Sequence, residues 1–188
     1  MGFTIDVGKS GPPFTLKGVD GKVHSLQDYS DKKAVVVVFT CNHCPAAVKA
    51  EDRLIQIQND YADKGVQLIA INSNEDKGHP TDSFENMVRR AAEKKFNFPY
   101  LRDDTQDVAR AYGALRTPHV FLLDGRRKVV YQGRIDDNID DVNAVTRHDL
   151  RVAIEETLQG KPVSTPTTEP VGCNVKWWGK DAHWMPKA

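Results

Sequence analysis

A short apolar run that leads straight into two cysteines constrains the fold of this chain more than any other feature. Residues 34–39 read AVVVVF, a continuous and mostly β-branched segment that predicts a strand buried on both faces. Residues 40–45, TCNHCP, follow directly, and no further glycine or proline occurs until Gly65. The stretch between Pro45 and Gly65 carries apolar residues at roughly helical spacing. A buried strand therefore leads into a helix, and the cysteines lie at the junction.

The other apolar segments predict an α/β fold with helices on both faces of the sheet. Asp20-Gly21 lies between two short β-like runs and indicates a hairpin, followed by one helical turn. Two parallel βα units are followed by an antiparallel hairpin and a closing helix. We expect further strands at 66–72, 119–124 and 128–135, and further helices at 81–95, 106–112 and 147–160.

The composition changes after Gly160, so we expect a domain over residues 1–160 and a tail over residues 161–188. The tail has four prolines and no regular period, which predicts an extended, irregular chain. It also holds three tryptophans, which are costly to leave in water. We therefore expect the tail to pack back on the domain, with Trp177 or Trp178 largely buried.

Charge and composition exclude several classes of function. The 26 basic and 26 acidic residues cancel, so neither a nucleic acid nor a membrane surface is an expected partner. The longest apolar run is too short to span a bilayer, and charged residues interrupt any signal-peptide core. We expect a cytoplasmic protein without a cofactor or a metal. Its three cysteines, Cys41, Cys44 and Cys173, are too few for a disulfide scaffold.

The position of Cys41 and Cys44 favours redox chemistry. A helix N-terminus presents unpaired amide hydrogens and the positive end of the helix dipole, and both stabilise a thiolate. The two-residue gap brings the second thiol close enough to form a disulfide with the first. A protonated His43 between them would stabilise a thiolate further. The alternative is a pair of small buried residues at a strand–helix junction.

With these residues the chain resembles the thioredoxin-fold superfamily, in its redoxin and peroxiredoxin-like branch, over about residues 10–160. Thr117-Pro118 stands where thioredoxin-like proteins place a cis-proline facing the Cys-x-x-Cys loop. The resemblance implies a thioredoxin-like fold: a central mixed sheet flanked by helices, with an N-terminal β-hairpin and an irregular C-terminal tail. It also implies that Thr117 and Pro118 hold a substrate backbone, with Thr40 and Arg116 as neighbouring substrate-binding residues.

The resemblance further implies that the chain is a thiol–disulfide oxidoreductase. Cys41 would be the exposed attacking thiol, Cys44 the more buried resolving thiol, and His43 a thiolate stabiliser. The partners would be protein or small-molecule disulfides or peroxides, and a reductant of thioredoxin or glutathione type. Thioredoxins bury a carboxylate six residues before the first cysteine, where this chain has Val35, so another group must serve proton transfer. Cys173 is a candidate third redox thiol; otherwise it is a packed free cysteine or forms an intermolecular disulfide.

Peroxidase activity is the first alternative. Peroxiredoxins follow their peroxidatic cysteine with proline, as Cys44-Pro45 does here. They place Thr or Ser three residues earlier, where this chain has Cys41, and an arginine at about the position of Pro118. Arg116 lies two residues before that position. We therefore expect only weak peroxidase activity through Cys44.

A metal-binding chaperone or redox-sensing adaptor is the second alternative. Cys41, His43 and Cys44, together with a distant histidine such as His119, offer soft ligands for copper or zinc. The copper-delivering proteins of the thioredoxin fold have one more residue between their cysteines.

Overall fold

The structure, a computed structural model, describes residues 2–187. Four α-helices and nine β-strands follow one another in these residues, with short 3-10 turns between some of them. The helices are α1 (Pro45–Tyr61), α2 (Phe84–Lys94), α3 (Asp107–Tyr112) and α4 (Asp149–Leu158). The strands are β1 (Thr15–Gly18), β2 (Val23–Ser25), β3 (Ala34–Phe39), β4 (Val66–Asn72), β5 (Tyr100–Arg102), β6 (Arg116–Thr117), β7 (His119–Leu123), β8 (Val129–Gly133) and β9 (Cys173–Asn174).

Seven of the strands form one mixed sheet in the order β2-β1-β5-β4-β3-β7-β8. Strands β3, β4 and β5 are parallel, while β7 and β8 continue the sheet antiparallel on one side. The hairpin β1–β2 extends the other side through antiparallel pairing of β1 with β5. The predicted thioredoxin-like α/β fold is confirmed, including the hairpin and the order of the principal elements.

Strand β3 is the centre of the core. Its six residues are each at most 1% exposed, because the sheet is covered on both faces. Val36 and Val38 pack with apolar residues of α1 and α4, whereas Val35 and Val37 pack with apolar residues of α3. This burial fixes the end of β3, where the cysteines follow.

Several elements differ from the sequence-based expectation. Strands β5, β6 and β9 are not among the predicted strands, because two or three residues are too few to show a period. The second helix begins at Phe84 and not at Thr81, because the Ser83 side chain caps it by accepting the Asn86 N–H. Residues Pro80–Asp82 form a 3-10 turn before the cap. This turn places Asp82 in the protein interior, at 0% exposure.

The tail packs along the domain and contributes the strand β9, which pairs antiparallel with β6. Trp177 is 4% exposed and belongs to the apolar cluster beneath α3, whereas Trp178 is 38% exposed. The expected burial of one of these tryptophans is confirmed at Trp177. The domain boundary at residue 160 stays a prediction. Within residues 2–187, no helix is both long enough and apolar enough to cross a membrane.

Candidate active site

The cysteines lie in the turn that joins β3 to α1. Cys44 is the N-cap residue of α1 and Pro45 is its first helical residue, a position that proline favours because the missing N–H has no partner there. Cys41, Cys44 and Cys173 are all free thiols. Cys41 is only 1% exposed and Cys44 is 0% exposed. The expected exposure of Cys41 is therefore wrong for this state of the protein, because Thr117 and the tail cover it.

Thr117 touches both sulfurs. Its hydroxyl lies 3.3 Å from Cys41 Sγ. Its carbonyl oxygen lies 3.3 Å from Cys44 Sγ and accepts a hydrogen bond from Cys44 when that residue is a protonated thiol. The peptide bond Thr117–Pro118 is cis, as predicted. The structure thus brings together the Cys-x-x-Cys turn and the segment before β7, which are separated by more than 70 residues in the sequence.

The other two predicted substrate-binding residues have different surroundings. Thr40 is buried, and its hydroxyl has no hydrogen-bond partner among residues 2–187. The Arg116 guanidinium donates through Nη1 to the Gly172 carbonyl and to Asn174 Oδ1, at 3.0 and 2.9 Å. Arg116 therefore holds the tail strand in place. The substrate-binding roles of Thr40 and Arg116 stay predictions.

The surroundings of the two sulfurs favour a thiolate at Cys44. Hydrogen bonding from the Cys41 thiol lowers the pKa of Cys44 to about 4, and the backbone N–H groups of Ala47 and Cys173 add to this effect. Burial opposes it. The pKa of Cys41 is raised well above its ordinary value of 9.0, first by burial and then by the bond to Cys44. The Ala47 amide belongs to the first turn of α1, and the Cys44 N–H donates to Cys41 Sγ at 3.4 Å. The helix N-terminus therefore contacts both sulfurs.

The surroundings of His43 favour its positively charged form next to this pair. Its Nδ1 bonds to Asp82 Oδ2, and this bond raises the pKa of His43 above its ordinary value of 6.5. The charge of Cys44 raises it further. Burial by itself would raise the pKa of Asp82, but the bond from His43 and other hydrogen bonds hold it below 3.8. His43 and Asp82 thus form an ion pair, and the imidazolium favours an anionic sulfur nearby.

Sequence reasoning missed Asp82, which orients the site. Its Oδ1 accepts from the Asn42 backbone N–H at 2.7 Å and from Asn72 Nδ2 at 3.1 Å. Its Oδ2 accepts from Asn74 Nδ2 at 3.1 Å as well as from His43. The only signal in the sequence was Val35, which stands where thioredoxins bury a carboxylate. Its presence implies that a carboxylate from another part of the chain takes over that role.

A second layer of polar groups supports this arrangement. The buried Tyr100 hydroxyl donates to Asn42 Oδ1 at 2.7 Å, and Asn42 Nδ2 donates to the Thr81 carbonyl. The His43 ring stacks on His79 with the ring centroids 5.3 Å apart, and His79 Nδ1 bonds to Glu75 Oε1 at 2.6 Å. The Cys-x-x-Cys turn is therefore fixed to the loop that follows β4.

The ligand set of the metal-binding alternative does not assemble. His119 is fully buried, and its ring nitrogens bond to the Leu115 N–H and to Gln132 Oε1. It is therefore not free to join a ligand set with the cysteines. Cys41, His43 and Asp82 do place one ligand atom each within 4.8 Å of one another. The hydrogen bonds that Asp82 accepts fit a role in orienting the His43 ring and not a role as a metal ligand.

The family model described as Redoxin matches residues 6–147. The chain belongs to the redoxin family. This confirms the resemblance to the redoxin branch of the thioredoxin-fold superfamily.

Three similar proteins show how far the similarity extends along this redoxin. The thiol-disulfide oxidoreductase ResA of Bacillus thuringiensis (strain Al Hakam) is 30% identical over 129 residues, which cover 68% of this chain and 69% of that protein. A structure of a conserved protein from Geobacillus kaustophilus is 40% identical with a TM-score of 0.89 and covers 96% of both chains. A hypothetical protein from Sinorhizobium meliloti 1021 is 36% identical, also with a TM-score of 0.89, over 95% of this redoxin and 98% of that chain. The two structural matches extend into the tail, whereas the ResA match leaves about a third of the chain unmatched.

The relatives and the geometry of the cysteines agree on the chemistry. ResA-type thiol–disulfide oxidoreductases are relatives of this redoxin, and its Cys41 and Cys44 form the Cys-x-x-Cys pair that such chemistry requires. The prediction of a thiol–disulfide oxidoreductase is confirmed at the level of enzyme class.

Proposed function

We propose that this redoxin reduces or forms disulfides through the Cys41–Cys44 pair, with Cys44 as the attacking thiolate. The observation that carries the proposal is the position of Cys44 as the N-cap of α1, where it contacts the Cys41 thiol and two backbone N–H groups. A thiolate held in this way is the reactive form of cysteine near neutral pH.

The reductive direction takes two exchange steps. The Cys44 thiolate attacks one sulfur of a substrate disulfide, that S–S bond breaks, and the first substrate sulfur leaves as a thiolate that takes a proton. Cys41 then loses its proton and attacks Cys44 Sγ. The Cys41–Cys44 disulfide forms, and the second substrate sulfur leaves and is protonated. Two electrons pass from the enzyme to the substrate.

The order of the two cysteines distinguishes this proposal from the sequence-based roles. Those roles make Cys41 the nucleophile and Cys44 the resolving thiol, as in the resemblance to thioredoxins. The opposite pKa shifts of the two cysteines support the reverse order. His43, paired with Asp82, supports the thiolate through its positive charge.

An insulin-reduction assay combined with trapping of mixed disulfides tests the proposal. Under the proposed order Cys44→Ser abolishes turnover, whereas Cys41→Ser accumulates a disulfide between Cys44 and the substrate. Val142→Ser, an exposed residue on a 3-10 turn, serves as the control and should keep full activity. A trapped intermediate on Cys41 in the Cys44→Ser variant would restore the sequence-based order. An inactive wild-type protein would contradict the function itself.

The substrates and the reductant of this redoxin are also part of the proposal. Redoxin-family oxidoreductases act on disulfides and exchange electrons with redox partners. For this chain we propose protein or small-molecule disulfides as substrates and a reductant of thioredoxin or glutathione type. A cytoplasmic location stays a prediction, which fractionation of the native host would test.

Peroxide reduction through Cys44 is the second candidate. The lowered pKa of Cys44 favours it, since a thiolate is the form that attacks peroxide. Arg116, which lies two residues before the position of the peroxiredoxin arginine, is bonded to the tail. We therefore rank peroxidase activity below disulfide exchange.

A further inference from the structure

The tail strand lies on the backbone segment that the resemblance assigns to substrate binding. Strand β9 pairs antiparallel with β6, with Thr117 opposite Cys173 and Arg116 opposite Asn174. A side chain at Gly172 would place its Cβ 2.0 Å from the Thr117 carbonyl oxygen, so glycine is needed for this approach. The tail thus occupies the edge on which an extended peptide would pair.

Contacts on both sides of β9 hold the tail in this position. The Val175 N–H donates to the Leu115 carbonyl at 3.1 Å, and the Lys176 N–H donates to Asn74 Oδ1 at 2.9 Å. Gln106 Nε2 donates to the Lys176 carbonyl at 2.8 Å. The strand is a built part of the site and not a loose end.

Cys173 is consequently placed against the buried pair. Its backbone N–H points to Cys44 Sγ at 3.4 Å, and its side chain packs on the cluster of Cys41, Cys44 and Ala47. Cys173 is half-buried, while Cys41 and Cys44 are each at most 1% exposed. Among the three thiols, Cys173 is the one that solvent reaches most easily.

Building on the proposed function, we propose that Cys173 is a third redox thiol, which carries the disulfide from the buried Cys41–Cys44 pair to an external small thiol. The strand β9 presents Cys173 to Cys44 as a substrate strand would present its own cysteine. The relay therefore operates with the tail in place.

The relay consists of balanced exchange steps that regenerate the reduced enzyme. Cys173 loses its proton and attacks Cys44 Sγ in the Cys41–Cys44 disulfide, so that the Cys44–Cys173 bond forms and Cys41 leaves and is protonated. An external thiol, deprotonated, then attacks Cys173 Sγ, and Cys44 leaves as a thiolate. A second external thiol attacks the external sulfur of this mixed disulfide, which releases an external disulfide and frees Cys173, which takes up a proton. Two external thiols are oxidised and one protein disulfide is reduced.

The chemistry of the site supports the order of these steps. Cys44 is a good leaving group in the second step, because hydrogen bonding from the Cys41 thiol, which the first step restores, lowers its pKa. In the reduced protein, burial and then the neighbouring Cys44 raise the pKa of Cys173 to about 11. Burial still raises this pKa when Cys44 is held in the disulfide. Deprotonation of Cys173 therefore limits the relay, and its rate should rise with pH. Since β9 occupies the peptide-binding edge, the relay selects the glutathione-type reductant, a small thiol, from the two reductants of the proposed function.

Disulfide mapping of the Cys41→Ser variant tests the contact directly. With Cys41 removed, oxidised glutathione forms a mixed disulfide with Cys44, which Cys173 should resolve. Peptide mapping should then show mostly a Cys44–Cys173 disulfide, and a Cys41→Ser, Val171→Ser variant should show the same, because Val171 is exposed in the same segment. Persistent glutathione on Cys44, or disulfide-linked dimers in its place, would overturn the proposal.

Reduction kinetics test the relay in the complete pair. Oxidised Cys173→Ser should react with 2-mercaptoethanol roughly tenfold more slowly than oxidised wild type, because its buried disulfide is reached only after local opening. Cys173→Ala should behave in the same way, which guards against a folding defect of one variant. Equal rates in wild type and both variants would refute the relay. Insulin reduction by the wild type, measured in parallel, tests the proposed function separately from these outcomes.

Discussion

Trp177 should control how often the buried cysteines become accessible. It is 4% exposed and stands edge-to-face to Phe3 and Trp184, with ring centroids 6.0 and 6.4 Å apart. The Arg110 guanidinium lies 5.5 Å from its ring centroid. Its indole N–H has no hydrogen-bond partner among residues 2–187, so Trp177→Ala leaves no polar group stranded. The substitution therefore removes packing and the contact with Arg110, but no hydrogen bond.

The size of the effect follows from this burial. Truncation of a buried tryptophan to alanine costs about 3–5 kcal/mol, and each 1.4 kcal/mol changes an equilibrium roughly tenfold. Trp177 is four residues after Cys173, so most of this loss falls on opening of the tail. Opening should become roughly two to three orders of magnitude more frequent. Alkylation of Cys44 by iodoacetamide under native conditions should accelerate by the same factor.

The neighbouring Trp178 provides the matched control. It is 38% exposed and donates its indole N–H to the Asp104 carbonyl at 3.0 Å. Trp178→Ala should accelerate Cys44 alkylation by about tenfold at most, since one exposed hydrogen bond contributes about 1 kcal/mol. Mass spectrometry of each cysteine peptide gives the rates, and circular dichroism verifies that the domain stays folded. If Trp177→Ala is no faster than Trp178→Ala, the tail does not gate the site.

Three further predictions concern the charges at the site. Asp82→Asn should lower the pKa of His43, which NMR of the imidazole ring would measure. In the wild type the ion pair stabilises the fold at pH values between the lowered pKa of Asp82 and the raised pKa of His43. This stability is lost as pH falls through the pKa of Asp82 or rises through the pKa of His43, and Asp82→Asn should lack it. An unchanged His43 titration would contradict the pairing. In the wild type, thiolate absorbance near 240 nm should disappear as pH falls through about 4. In Cys41→Ala it should disappear at a higher pH, because the Cys41 thiol is the largest cause of the lowered pKa of Cys44. A midpoint that does not move would show that the thiolate is not at Cys44. The rate of oxidation by hydrogen peroxide, measured by stopped flow, should be well below that of a dedicated peroxiredoxin, because Arg116 is bonded to the tail. A rate equal to that of such an enzyme would show that peroxide is a true substrate.

Local patterns were sufficient to predict the frame of the site. The run AVVVVF predicted a strand buried on both faces, and each of its residues is buried. Pro45 and the uninterrupted stretch after it predicted a helix with the cysteines at its N-terminus, and Cys44 is the N-cap. These features depend on side-chain shape and spacing within a few residues, so the sequence alone determines them.

The electrostatics of the site could not be predicted in this way. Asp82 reaches the cysteines because residues 80–82 form a 3-10 turn beyond the end of β4, and no spacing rule links it to His43. The preference for a thiolate at Cys44 depends on donors from three places, namely the Cys41 thiol, the first turn of α1 and the tail. A pKa depends on every charge and dipole within a few ångströms, and those neighbours are known only once the chain has folded.

The tail shows the same division between sequence and structure. Its prolines and tryptophans determined that it is extended and that an indole is buried, since both follow from the chemistry of single residues. Only the tertiary structure decided that β9 pairs with β6 and that Cys173 rests on Cys44. Pairing between segments more than 50 residues apart is set by the packing of Trp177 and the close approach of Gly172 to Thr117, and neither contact leaves a local pattern in the sequence.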